Sequence, residues 1–177
     1  MKFKNKEELA KFTIRYFLKN KKIPQINIKD VPKKFLAKKA CFVTIYTDGQ
    51  LRGCIGNYIS DKPLYLNIIE NAIRASQLDP RFLPVEEEDL PKMKVEISVL
   101  TPLKKYKPRN LESLLKFLEK EKPGVMIGRG VNRALFLPQV WEELPDPQEF
   151  LSQLCMKGGL PPDAWRKDTK FWIFYKE

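Results

Sequence analysis

The sequence contains no histidine. Serine and cysteine hydrolases with an imidazole base therefore have no counterpart here, nor do zinc sites that use histidine. Its three cysteines, Cys41, Cys54 and Cys155, include no Cys-x-x-Cys pair, which excludes thioredoxin-like exchange and leaves iron–sulfur clusters without ligands. An odd number of scattered cysteines favours reduced thiols in a cytosol over a disulfide framework.

Long apolar segments are also missing. No run of 18 apolar residues is present, and the N-terminus leads into an amphipathic stretch without the apolar core of a signal peptide. We therefore expect a cytoplasmic protein with no membrane association. With 177 residues, 43% of them hydrophobic, the chain can build one sizeable core, so a single domain over residues 1–177 is the default.

The net charge of +11 is unevenly distributed along the chain. Residues 1–40 hold 13 Lys or Arg against 3 acids, whereas residues 41–177 hold 20 against 19. A basic N-terminal helix and linker could contact phosphate backbones, but a solvated lysine-rich face explains the same composition. We expect at most weak, non-specific binding to nucleic acid.

The periodicity predicts an α+β fold, with a mostly antiparallel or mixed sheet and flanking helices. Apolar spacing predicts a helix capped by Asn5, a helix after Ser60 or Asp61, and helices capped by Asn110 and Asp146. Between and after them, β-branched and aromatic runs predict two hairpins, a strand at residues 95–99 and a final strand at residues 170–175. The first hairpin turns at residues 48–49 and the second at the glycines of residues 128–130, while residues 23–40 show no obvious core.

The returning strand of the first hairpin, residues 51–56, reads Leu-Arg-Gly-Cys-Ile-Gly and concentrates reactive chemistry. Arg52 would face the same side as Cys54 if no bulge intervenes, and a nearby guanidinium favours the thiolate. Gly53 and Gly56 allow a ligand or another backbone to come close. A buried structural cysteine in a glycine-kinked strand remains the alternative.

The second candidate segment is residues 79–84, Asp-Pro-Arg-Phe-Leu-Pro. Its prolines stiffen a loop that holds Asp79 two residues from Arg81, which suits either a ligand site or a salt-bridged surface corner. The acidic run at residues 86–89 indicates a solvated helical turn rather than a metal site, and no metal is predicted.

On these residues the chain resembles the AMMECR family. The resemblance rests on five stretches that occur in order, at residues 51–56, 79–82, 98–102, 137–140 and 155–163. It implies a large and a small lobe in one compact unit and a shared pathway with Memo-like and radical SAM proteins. It gives no catalysed reaction and no cofactor. The chain departs from relatives at residues 57–58, which affects ligand detail, and at Met156.

The combined hypothesis places a site around Cys54. Cys54 and Arg52 would be catalytic, and Gly53, Gly56, Asp79, Arg81 and Lys157 would bind a small anionic ligand. Cys54 would act as nucleophile or acid, with the reaction unassigned. A non-catalytic partner protein and a basic nucleic-acid-binding module remain the alternatives.

Overall fold

The computed structural model describes residues 2–177, which form two compact units, one ending at Leu100 and one comprising Thr101–Glu177. Each unit combines helices with one antiparallel sheet, which confirms the predicted α+β class. A division after residue 100 was not predicted from the sequence. In the described residues, no helix is both long and apolar enough to cross a bilayer.

The first unit packs two helices against one face of a three-stranded sheet. Its elements are α1 (Lys6–Asn20), β1 (Cys41–Thr47), β2 (Gln50–Gly56), α2 (Leu64–Gln77) and β3 (Met93–Val99). The strand order is β2-β1-β3, so β2 is an edge strand. Asp48 and Gly49 have φ of +52° and +79°, as the predicted two-residue turn requires.

Sequence-local chemistry explains both the start of α1 and its packing. The Asn5 side chain accepts a hydrogen bond from the Glu8 backbone N–H, so the predicted cap is confirmed. The buried face of α1 joins α2 and the sheet in one core, together with Val31 and Phe35. The segment in which no core was expected therefore contributes two buried side chains.

The start of α2 differs from the prediction. Neither Ser60 nor Asp61 caps the helix; Pro63 occupies the N-cap position and has no side-chain cap. The Ser60 hydroxyl instead accepts hydrogen bonds from the Lys62 backbone N–H and from the Asn67 side-chain amide. A short polar side chain three residues before a helix can close a local turn instead of capping.

The second unit is a four-stranded sheet in the order β4-β7-β5-β6 with two helices on one face. Its elements are β4 (Lys104–Tyr106), α3 (Leu111–Glu121), β5 (Gly124–Arg129), β6 (Asn132–Phe136), α4 (Pro147–Lys157) and β7 (Lys170–Phe174). The caps Asn110 and Asp146 are confirmed. The second hairpin turns at residues 130–131, because Gly128 lies within β5 and pairs with Arg133.

Candidate functional site

Cys54 lies in the middle of β2, on the sheet face opposite the helices. Its neighbours Gly53 and Ile55 pair with Ile45 and Val43, whose side chains belong to the helix-covered core, so alternation turns Cys54 the other way. Cys54 pairs with Thr44, and its Sγ lies 3.3 Å from the Thr44 Oγ1. The thiol is half-buried and has a hydroxyl partner.

The free edge of β2 is capped at Cys54 by the loop that follows α2. The Cys54 N–H donates to Asp79 Oδ2 at 2.8 Å, and the Cys54 carbonyl accepts from Arg81 Nη2 at 3.2 Å. Because both groups point away from β1, Cys54 and Thr44 form a non-hydrogen-bonded pair, which brings their side chains close. The Asp79–Arg81 pair thus supplies the bonds that a further strand would make.

Asp79 is the buried centre of this arrangement. Besides the Cys54 N–H, its carboxylate accepts bonds from the Arg81 backbone N–H at 3.2 Å, from Arg81 Nε at 3.0 Å and from Arg81 Nη2 at 2.7 Å. These bonds, led by those of the guanidinium, lower the pKa of Asp79 to about 2. Asp79 is therefore a fixed anion that orients Arg81.

Arg81 is held on one edge and open on the other. Its side chain is 56% exposed, compared with 3% for Asp79. Nε and Nη2 bind Asp79 and the Cys54 carbonyl, whereas Nη1 makes no hydrogen bond to the part of the chain that the structure describes. The pKa of Arg81 is raised mainly by its hydrogen bond to Asp79, with Cys54 contributing less. The two N–H groups of Nη1 are therefore oriented and open to a ligand.

Arg52 has a different position from the one that simple alternation predicts. The β1–β2 register shifts between Ile45 and Tyr46, so a bulge lies at Arg52. Its guanidinium donates to the carbonyls of Leu83 and Pro84, the latter at 3.0 Å. Arg52 thus anchors the loop that carries Asp79 and Arg81, and a direct catalytic role for it stays a prediction.

Gly53 and Gly56 are both required by packing. A Cβ on Gly53 would overlap the Ala75 carbonyl of α2, and one on Gly56 would overlap the Phe42 ring and the Cys41 carbonyl. A glycine in a strand allows either a ligand or another backbone to come close, and at Gly53 the backbone of α2 does so. Their predicted part in ligand binding stays a prediction.

Three residues that the sequence reasoning did not select share the sheet face of Cys54. Thr44 pairs with Cys54 on one side and with Glu96 on the other, and Tyr46 lies two positions along β1. The pKa of Tyr46 is raised, first by burial, then by Glu96 and Cys54. Alternation across the predicted hairpin could not have identified Thr44, because the register set by the turn pairs Cys54 with Val43 and only the bulge at Arg52 shifts the pairing to Thr44.

The remaining thiols differ from Cys54 in their surroundings. Cys41 is fully buried, and its pKa is raised to about 12, mainly by burial. Cys155 is fully buried in the second unit, and burial raises its pKa as well.

The predicted site residue Lys157 also belongs to the second unit, where its Nζ donates to the Leu135 carbonyl at 3.0 Å. Its place in the site stays a prediction.

Within residues 2–177, no group of three or more carboxylates and thiols is arranged to hold a metal ion. Beside the Cys54 thiol, the site offers the Thr44 hydroxyl, the Tyr46 phenol, the Glu96 carboxylate and the exposed Arg81 guanidinium oriented by Asp79.

Comparison with known proteins gives consistent matches along almost the whole chain. The AMMECR1 family model matches residues 7–177. Protein NEQ441 of Nanoarchaeum equitans is 39% identical over 175 residues, covering 96% of this chain and 95% of its own length. Protein MK0488 of Methanopyrus kandleri is 38% identical over 175 residues, covering 94% and 82%. The crystal structure of the uncharacterized protein PH0010 from Pyrococcus horikoshii superposes with a TM-score of 0.86 at 34% identity, over 97% of this chain and 87% of that one.

Proposed function

The chain belongs to the AMMECR1 family, and we propose that it binds a small anionic molecule at Cys54, as an enzyme or as a binding protein. The observation that carries the proposal is the half-exposed guanidinium of Arg81, fixed by buried Asp79 with its Nη1 edge open. Arginine presents paired N–H groups that match carboxylate and phosphate oxygens. A side chain oriented in advance loses little freedom when a ligand binds.

Cys54 is the group that meets the reacting end of the ligand. Its Sγ lies 3.3 Å from the Thr44 hydroxyl, which can donate to a thiolate or accept from a thiol. As a nucleophile, Cys54 needs a base other than imidazole. The titratable groups on the same sheet face include Tyr46, Glu96 and Lys94, and the last two form an ion pair at 2.7 Å. The family and the site together leave the reaction unassigned.

Competitive alkylation of the folded protein tests the proposal. Brief treatment with iodoacetamide at neutral pH, followed by peptide mapping, should label Cys54 well before Cys41 and Cys155, because those two thiols are fully buried. Native mass spectrometry of the same preparation should show a bound small anion that is lost in Arg81→Gln. Equal labelling of all three thiols, or a ligand retained by Arg81→Gln, would remove the case for this site.

The proposal also includes a pathway shared with Memo-like and radical SAM proteins. Mixing purified proteins and measuring association by analytical ultracentrifugation tests a physical contact. Binding that survives Arg81→Gln but not a change elsewhere on the surface would favour the alternative of a non-catalytic partner protein.

A further inference from the structure

One face of the second sheet carries a basic surface with an aromatic ring. The register places Lys105 beside Trp172, and in the next row Lys170 and Arg133 flank Gly128. This face is opposite the one formed by Phe171 and Ile127, which is buried against α3 and α4. A Cβ on Gly128 would crowd the Trp172 ring at 3.0 Å, so the glycine leaves room for the indole.

Two adjoining cavities share Lys105, Asp168 and Lys170. The smaller, of about 170 Å³, lies on this face beside Gly128 and Trp172, and the larger, of about 600 Å³, continues to the other side of the sheet, where Tyr106, Trp165 and Phe171 line it. Asp168 is the one carboxylate among their described lining residues. Seven exposed cations line the two cavities and form no ion pair within 4.0 Å with any described residue. Arg166 bonds the Gln148 side chain, which leaves six: Lys105, Lys107, Arg129, Arg133, Lys167 and Lys170. We call these six residues with Trp172 the basic sheet face.

The N-terminal helix has a different charge pattern despite the high net charge of residues 1–40. Its cavity of about 490 Å³ is lined by Lys4, Lys11 and Arg15 but also by Glu7 and Glu8. Two carboxylates among three cations weaken the local potential for an anion. The stronger attraction for a polyanion therefore lies in the second unit, where residues 101–177 hold 14 Lys or Arg against 10 acids.

We propose that the basic sheet face binds single-stranded nucleic acid, with its cations on phosphates and Trp172 stacked on a base. Two or three cations suffice for one small anion, whereas six along two connected cavities suit a chain of phosphates. Trp172 is half-buried, with the Arg133 guanidinium 5.9 Å from its ring. Bases of a duplex do not expose their faces to a side-chain ring, so the indole favours a single strand.

Intrinsic fluorescence offers a direct readout of Trp172. The other two tryptophans, Trp141 and Trp165, are buried, at 3% and 2% exposure. Trp165 nevertheless lines the larger cavity, so the signal of Trp172 is the part of the quenching by a 12-residue oligouridylate that Trp172→Leu removes. With about four phosphate contacts, the salt slope for a single strand is about −3, and the affinity should fall about 50-fold between 50 and 200 mM salt.

Two variants and one control separate the contributions, with binding followed by anisotropy of a labelled oligouridylate. Lys105→Gln with Lys170→Gln should weaken binding and reduce the salt slope by about 1.4. Trp172→Leu should weaken binding and leave the slope unchanged. The control, Lys11→Gln with Arg15→Gln on α1, removes the same charge and should change neither.

Three results would overturn the proposal. Equal weakening of binding by the α1 control and by the sheet variant would place the contact on the helix. Equally tight binding of a duplex of the same length would contradict the preference for a single strand, and competition by millimolar inorganic phosphate as effective as that of the oligonucleotide would indicate a small-anion site. Thermal melting of each variant excludes unfolding as the cause of weaker binding. If Trp172→Leu fails to fold, the double change of Lys105 and Lys170 still decides the question, because it affects exposed side chains only.

Discussion

Replacing Asp79 with asparagine tests the ion pair that orients Arg81. Asparagine keeps one oxygen for the Cys54 N–H but turns an amide N–H₂ towards the guanidinium, so a donor then faces a donor. The change removes the negative charge with nearly the same side-chain volume. Any loss of stability therefore reports on the charge and its hydrogen bonds rather than on a cavity.

The magnitude follows from the titration of Asp79. Its pKa is lowered from 3.8 to about 2, which corresponds to about 2 kcal/mol of folding free energy. Since Arg81 is more than half exposed, solvent screening reduces this to about 1–2 kcal/mol. A group with a lowered folded-state pKa stabilises the fold above pH 3.8, and that contribution disappears as the pH falls through about 2.

Urea unfolding of wild type and Asp79→Asn, followed by far-UV circular dichroism from pH 7 to pH 2, measures the effect. Tryptophan fluorescence is unsuitable, because Trp141, Trp165 and Trp172 all lie in the second unit. The difference in unfolding free energy between wild type and Asp79→Asn should be largest at pH 7 and should nearly vanish at pH 2. The control is Glu70→Gln, which breaks the exposed ion pair with Lys62 in the same unit and should cost much less stability than Asp79→Asn, because solvent screens an exposed pair.

A gap between wild type and Asp79→Asn that persists at pH 2 would show that asparagine acts by steric misfit. A change no larger than that of Glu70→Gln would show that the buried carboxylate contributes nothing beyond an ordinary surface pair. Either result would refute the account of Asp79 as a fixed anion.

Two further substitutions test the framework of the site. Gly53→Ala should destabilise the first unit by at least about 2 kcal/mol in thermal melting, because its Cβ would overlap the Ala75 carbonyl. The control Gly49→Ala should cost about 1 kcal/mol, because its Cβ meets open space and only the positive φ of +79° is unfavourable. Equal costs would contradict the packing role. Arg52→Ala should leave the sheet folded and speed hydrogen exchange in residues 79–85, since it releases the Leu83 carbonyl, and unchanged exchange there would contradict the anchoring role.

Local sequence signals predicted most of the fold. The Asp48–Gly49 turn and the caps at Asn5, Asn110 and Asp146 follow from residue chemistry within four positions, and the structure confirms them. The wrong cap of α2 has a local cause, the turn closed by Ser60, whereas two other failures have non-local causes. β4 has only three residues and is a strand because β7 pairs with it, and Gly128 looked like a turn because the pairing with Arg133 is invisible in sequence.

The candidate site shows the same division between local and non-local information. The sequence picked out Cys54, Asp79 and Arg81 from their residue types and spacing. It did not show that Asp79 and Arg81 cap the edge of β2 at Cys54, because that contact joins residues 25 and 27 positions apart. The bulge that directs Arg52 to the Leu83 carbonyl lies beside Gly53, and alternation put Arg52 on the side of Cys54 only on the condition that no bulge intervened.

The central claim is that Arg81 draws anions to the Cys54 thiol, and charge selectivity of alkylation tests it most directly. The ratio of the rates of anionic iodoacetate and neutral iodoacetamide at Cys54 cancels changes in thiol reactivity. An attraction of about 1 kcal/mol predicts that this ratio is about fivefold higher in wild type than in Arg81→Gln and that Arg81→Lys restores part of it. An identical ratio in wild type and Arg81→Gln would contradict the claim.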